Sequence, residues 1–354
     1  MVIYGRASGL GVLSPDATRG LPGLCNIWQM RVPMVSFTPV FCVTSFAFLV
    51  LMTSPLVAQD KLKVAIGQME TWVNQAPVLG QETGIFKKHD IELGNFATQG
   101  SGETLQAVVS NAAQVGVGVG TLGVLRAYQR GAPIKIFGAS FTGVGDLYWY
   151  VRADSAIKSL ADAGPGNTIA FSSSGSSVHN VVLAFVQKHN IKATPDQTGG
   201  LASTLTQVMS GQIDIGWATP PFGLREAADG KIRIIANGND VPTLRKQTAR
   251  VEILHDSVAN NPDLMKRFMR AYRESLAYLL NDPRSTKLYA DQVHVSEPVI
   301  TEAIDRFKLK EGKQLDLISD LDTVMADGVQ FKFLDKPLTR EQIADLIHIL
   351  PPGI

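Results

Sequence analysis

From residue 62 onward, short runs rich in β-branched residues alternate with helical patterns. The runs are LKVAIGQ (62–68), VGVGVG (115–120), IKIFGAS (134–140), TIAFSSS (168–174), IDIGWA (213–218) and IRIIAN (232–237). Such alternation predicts βα units around largely parallel sheets, and so an α/β fold. After TIAFSSS, Val178, Val181, Val182, Phe185 and Val186 recur at helical spacing and place one apolar face on a sheet. The segment 262–281 does the same with Leu264, Phe268, Tyr272, Leu276 and Leu279, and Pro262 suits a first helical turn. EPVITEAIDRF (297–307) and LTREQIADLIHIL (338–350) are patterned alike. These last segments are expected to pack back on the first half of the chain rather than form a third domain.

A weak internal repeat underlies the alternation. Gln114–Thr121 (QVGVGVGT) is similar to Gln212–Thr219 (QIDIGWAT), and the same offset of 98 residues separates Ile134-Lys-Ile from Ile232-Arg-Ile. Each copy is preceded by a helical segment containing Thr-Leu, at Thr104-Leu105 and Thr204-Leu205. Two similar lobes follow, each presenting a strand-end loop of Gly and Thr. DLYWYVRADSAIKSL (146–160) and RVEILHDSV (250–258) read as extended crossings between them.

The N-terminus does not fit this pattern. Met30-Arg31 precedes an apolar run, 35–58, that contains Pro55 and ends in Leu56-Val57-Ala58. A basic flank, an apolar core, a helix breaker and a small residue at the cut describe a secretory signal. The run is also near spanning length, so a retained anchor is the alternative. A signal normally begins close to its apolar core, which favours Met30 or Met34 over Met1 as the start.

The 354 residues, 45% hydrophobic, 18% charged and 7% aromatic, are those of an ordered globular protein of about two domains. Both cysteines, Cys25 and Cys42, precede the expected cut, so the mature chain would hold no disulfide or thiol chemistry, and neither is placed for lipidation. Residues 1–58 contain Arg6, Arg19, Arg31 and Asp16 out of 33 basic and 32 acidic residues, leaving 30 and 31. A mature charge near −1 without a basic run argues against a nucleic-acid partner.

Candidate chemistry concentrates in FSSSGSSVHN (171–180). Ser176 and His179 share a helical face, but G-x-S-x-G is absent and no oxyanion hole is indicated. Ser155-Ala-Ile-Lys158 matches S-x-x-K without companion motifs. The six histidines are scattered, and neither H-E-x-x-H nor G-x-x-x-x-G-K-[ST] occurs, so no metal, cofactor or catalytic residue is assigned. What remains is a helix start with free N–H groups and a positive dipole end, where serines cap the helix or meet a ligand. One cap needs one serine, which leaves Ser174, Gly175 and Ser176 for ligand contact.

Several stretches together resemble the nitrate/sulfonate/taurine and thiamine-precursor (NMT1-like) family of periplasmic solute-binding proteins. They are Gly84-Ile-Phe-Lys-Lys88 before Ile91-Glu-Leu93, Arg152–Leu160, Gly175-Ser176 with His179, and Ser210-Gly-Gln-Ile-Asp214, over about residues 62–282. The resemblance implies a type II periplasmic-binding fold: two lobes with parallel-rich sheets, two hinge strands and a ligand cleft between them. It divides the chain into an extension and signal (1–58), the first part of lobe 1 (59–150), lobe 2 (151–246), and a hinge return completing lobe 1 (247–354). It implies a monomer in the periplasm that delivers a small-molecule ligand to an ABC permease and its ATPase in the inner membrane. A pyrimidine-precursor synthase on the same fold is the enzymatic alternative, and a sensor module acting in trans is another.

By position, the cleft would be lined by Gln68, Glu70, Trp72, Ser101, Gly120, Thr121, Thr142, Ser174, Gly175, Ser176, Trp217 and Thr219, at the carboxyl ends of strands. Two departures from the family stand out. Ala113-Gln-Val-Gly116 replaces the Gly-Gln-Ile-Asp pattern in the first lobe, and the expected cleft loops contain no Arg or Lys. With Trp72 and Trp217 as walls, lobe core being their alternative, and Glu70 available to an ammonium or amidine, the expected ligand is a small polar organic molecule with a planar or apolar part, or an anion, and is sulfonate-, nitrate- or pyrimidine-like.

Cleavage is expected between Ala58 and Gln59. N-terminal sequencing of the exported protein should begin at Gln59, and recovery of intact chain from Met1 contradicts the signal.

Overall fold

The computed structural model describes residues 59–353; the signal segment, Cys25 and Cys42 lie outside them. Among the described residues ten strands form a five-stranded sheet and a second one made of a three-stranded and a two-stranded part. β1 (Asp60–Gly67), β2 (Ile91–Thr98), β3 (Val115–Gly120), β4 (Ile134–Thr142) and β10 (Thr248–His255) make the first, in the order β2-β1-β3-β10-β4. β1 is parallel to β2 and β3, whereas β10 runs antiparallel between β3 and β4.

The second sheet repeats this plan. β6 (Thr168–Phe171) pairs in parallel with β7 (Thr194–Gln197), and β5 (Tyr148–Arg152) lies antiparallel between β8 (Gly216–Ala218) and β9 (Ile232–Asn237). A parallel bridge from Ile169 to Ile215 joins the two parts. Each sheet therefore receives one antiparallel strand across the junction: β5 follows β4 into the second sheet, and β10 returns from β9 to the first. The expected pair of crossings is present, although the extended part of 146–160 ends at Arg152. β7 was not foreseen, because Thr-Pro-Asp-Gln has no apolar alternation.

The repeat is closer than the sequence comparison indicates, and its register there is wrong by two residues. Val115 pairs with Val64 as Ile215 does with Ile169, an offset of 100. In that register Gln114 matches Asp214, and Asn111 matches Gly211, both with positive φ. Gln114 accepts from the Lys63 N–H through Oε1 at 3.0 Å, as Asp214 accepts from Thr168 N–H at 2.8 Å. The acid absent from the first lobe's copy is thus replaced by an amide making the same bond. Thr98–Thr104 and Thr198–Thr204 likewise form matching hydroxyl bonds of 2.6 Å.

Close packing explains the glycine-rich strand. A Cβ on Gly116 would lie 2.8 Å from Ile253 and 2.9 Å from Val108, and one on Gly216 would lie 2.6 Å from Tyr150 and 2.7 Å from Val208. In both lobes a preceding helix (Ser101–Val109 or Leu201–Met209) sits so close to its sheet that only glycine fits beneath its valine.

The helix Pro262–Asn281 packs on the first sheet as expected, with Phe268 and Tyr272 edge-on to Phe137 at 5.3 and 5.0 Å. The later segments also pack back on that lobe, with bridges from Ile347 to Ile136 and from Lys313 to Phe141, and they reach the second lobe as well. Phe307 stacks on Tyr148 of β5 at 5.4 Å, and Phe333 meets His179 edge-on at 5.3 Å.

A buried ion pair ties this return to the sheet. Lys313 Nζ donates to Glu252 Oε1 at 2.9 Å, with both side chains almost wholly buried, and Tyr272 donates to the same oxygen at 3.0 Å. Burial, and then the carboxylate, push the Tyr272 hydroxyl well above its ordinary pKa, so it remains a donor. The other oxygen, Glu252 Oε2, accepts the Gly118 N–H at 2.9 Å and fixes the end of β3. Lys313→Met should cost about 3–5 kcal/mol, since it strands a buried carboxylate. Urea denaturation of wild type and variant measures this; a loss below about 1 kcal/mol contradicts the assigned role.

Candidate functional site

The strand ends of the two sheets face each other across the crossings, and the loop 172–176 lies between them. Gly175 has φ +80, a conformation that suits glycine, and Ser176 then caps the helix Ser177–Lys188 by accepting from His179 N–H at 3.0 Å. The His179 Nδ1 accepts from Gly175 N–H at 3.3 Å. Its ring stacks on Phe171 at 4.0 Å, and burial lowers its pKa to about 4. At neutral pH His179 is an uncharged acceptor that folds the loop, while Ser176 Oγ is engaged with the helix start.

Glycines let the loop meet the first lobe. Gly102 N–H donates to Ser173 Oγ at 3.0 Å, and Gly123 N–H donates to Gly175 O at 3.1 Å. A Cβ on Gly120 would lie 2.5 Å from Gly175 O and 2.8 Å from Ser176 Cα, so the closeness is backbone against backbone.

Behind this seam lies a cavity of about 20 Å³, room for about one water, with walls from both lobes. Gln68, Asn74, Ser101 and Arg250 come from the first lobe; Ser172, Ser176, Ser177, Trp217 and Thr219 come from the second. Outside the seam an open groove of about 920 Å³ runs between Ser172–Gly175 and the helix Thr121–Gln129, including Arg126. Ser172 borders both spaces.

Of the residues expected from sequence, Gln68, Ser101, Ser176, Trp217 and Thr219 line the cavity. Gly120 and Gly175 form the seam. Ser174 is exposed along the open groove, and Thr121 borders a smaller pocket with Ser176 while its hydroxyl donates to Thr248 O at 2.6 Å. Three expectations fail. The turn at Gln68, φ +48, sends Glu70 out to solvent, and the short helix Trp72–Asn74 buries Trp72 in the first lobe's core. Thr142 is held between Thr248 and Gln314 at the sheet edge.

The cleft loops carry no Arg or Lys, but a cation reaches the cavity from a strand. Arg250, at the start of β10, borders the cavity, and its Nη2 donates to Asp146 Oδ2 at 2.7 Å with both side chains buried. Thr219 Oγ1 donates to the same carboxylate oxygen at 3.3 Å, and the guanidinium lies 4.7 Å from the Phe141 ring centroid. Arg250 and Asp146 belong to the two crossings, where sequence shows only polar ends of extended segments. Their pairing across 104 positions was the missing signal. Asn74 was overlooked as well; its Nδ2 donates to Gly67 O at 2.6 Å and its other end faces the cavity region.

Hydroxyl, amide, indole and guanidinium groups line a space that holds about one water as the lobes stand, so a larger polar molecule would enter only as they part. Among the described residues no cluster of three or more His, Cys, Asp or Glu could hold a metal ion, and no helix is long and apolar enough to cross a membrane.

Comparison with solved structures shows the two-lobe periplasmic-binding fold. The alkanesulfonate-binding protein SsuA from Xanthomonas axonopodis pv. citri, bound to MOPS, is 19% identical with a TM-score of 0.67, over 82% of this chain and 98% of that one. The nitrate-binding protein NrtA from Synechocystis PCC 6803 is 14% identical with a TM-score of 0.59, over 81% and 85%. A DSZB mutant in complex with biphenyl-2-sulfinic acid is 15% identical with a TM-score of 0.57, over 82% and 97%. No curated protein matches the chain. The NMT1/THI5-like family model matches residues 72–286, more than half of the sequence, and the chain belongs to that family.

Proposed function

We propose that this protein is the extracytoplasmic solute-binding component of an ABC-type import system. It captures a small polar organic molecule between its lobes, closes on it and delivers it to a membrane permease with its ATPase. The observation that carries this reading is the polar cavity closed between matching lobes, with walls from both and a seam of glycines around it. The lobes divide at 59–150 with 247–354, and at 151–246; the protein works as a periplasmic monomer after its signal is removed. Binding rather than catalysis is favoured by the neutral His179, whose Nδ1 meets Gly175 N–H rather than a serine hydroxyl.

Small molecules released from the denatured protein, identified by mass spectrometry, supply the solute for titration. Ser176→Ala removes a cavity hydroxyl and should weaken calorimetric affinity by about 0.5–1.5 kcal/mol, or about 1.5–3 for a charged solute group. Unchanged affinity removes Ser176 from the site, and chemical conversion of the solute overturns the binding reading.

Gly120→Ala tests closure separately. At φ −58 the backbone accepts alanine, so the new methyl conflicts only with the opposite lobe. Small-angle scattering at saturating solute should give a larger radius for the variant than for wild type, with the melting profile preserved. Equal radii contradict closure through this seam.

A further inference from the structure

We infer that the interlobe cavity selects a solute of zero net charge that carries both a hydrogen-bond acceptor and a donor, and that it discriminates against bare oxyanions. The inference rests on the solute-binding reading and names the chemistry of that site. Its basis is the Arg250–Asp146 pair. Arg250 is the one charged residue bordering the cavity, and its charge is already balanced by a carboxylate 2.7 Å away. A bare anion beside Arg250 would place a second negative charge next to Asp146 in a water-poor space, where repulsion is weakly screened. A dipolar or zwitterionic solute leaves the net charge at zero.

Hydrogen-bond capacity points the same way. The ion pair uses one nitrogen and one oxygen, so buried Arg250 Nε and Asp146 Oδ1 have no partner among the described residues. Trp217 Nε1 and Asn74 Oδ1, on opposite walls, are also buried and unpartnered. Arg250, Trp217 and Asn74 border the cavity, which leaves two donors and one acceptor there, with Asp146 paired to Arg250 but outside the lining. Buried polar groups are normally satisfied, so both kinds call for a complement. An oxyanion can answer only the donors. A solute admitted as the lobes part, with an acceptor end towards Arg250 and Trp217 and an N–H or ammonium end towards Asn74, answers all three.

Asp146→Asn preserves shape and an oxygen for Arg250 while removing the negative charge. Calorimetric titration of the full chain should use ethanesulfonate and nitrate as bare anions, with 2-aminoethanesulfonate as the net-neutral partner of the first. Asp146→Asn should bind the bare anions at least about tenfold tighter than wild type does, and should lose wild type's preference for the aminated probe. Wild type binding ethanesulfonate or nitrate as tightly as the variant overturns the inference, as does a folded variant with no gain. Mass spectrometry of solute released from wild type needs no variant: a net-neutral molecule with donors and acceptors supports the inference, and a bare anion refutes it while leaving the solute-binding reading intact. No released solute, together with no binding of any probe by either folded protein, removes the solute-binding reading itself.

Discussion

The bond between Arg250 and Asp146 is where the two crossings of the chain meet. Each residue sits beside a strand that left one sheet to join the other, so the pair links the exchange that makes two lobes into one binding unit. Its cost is substantial, because both groups are out of water, and removing either alone would leave an uncompensated charge. Hydrophobic packing could hold the crossings together without it. The buried pair instead leaves a spare donor on Arg250, which borders the cavity, with its charge balanced by Asp146.

The same economy of backbone runs through both halves. Gly116 and Gly216 bring a helix down onto each sheet, and Gly120, Gly123 and Gly175 bring the lobes together. Between these contacts, Glu252 holds the Gly118 N–H while Lys313 neutralises it from the C-terminal return. The return therefore does more than cover the first sheet. Through Phe307 on Tyr148 and Phe333 on His179 it also touches the second lobe, which places aromatic contacts beside both the crossing and the serine loop.

Much of this was legible in the chain because it rests on local pattern. Alternating apolar runs, the helical face from Val178 to Phe185 and the serine-glycine helix start each follow from spacing and propensity, and the structure forms them as elements. Local pattern fails where orientation depends on a single turn. Glu70 and Trp72 lie only two residues apart, yet a left-handed Gln68 and a short helix send one to solvent and the other to the core. It also fails where a partner is distant. Nothing near Arg250 in sequence indicates Asp146, and the repeat register could be set only once Gln114 and Asp214 were seen making equivalent backbone bonds.

The central claim is that solute binds between the lobes, against Trp217. The indole N–H signals of ¹⁵N-labelled protein test it directly. Trp149 Nε1 donates to Ala170 O at 3.1 Å within the second lobe, whereas Trp217 Nε1 is unpartnered at the cavity. Titration with the solute released from the protein, with Trp217→Phe used for assignment, should shift the Trp217 signal saturably and leave that of Trp149 nearly in place. Saturable binding that leaves the Trp217 signal unmoved would contradict the account.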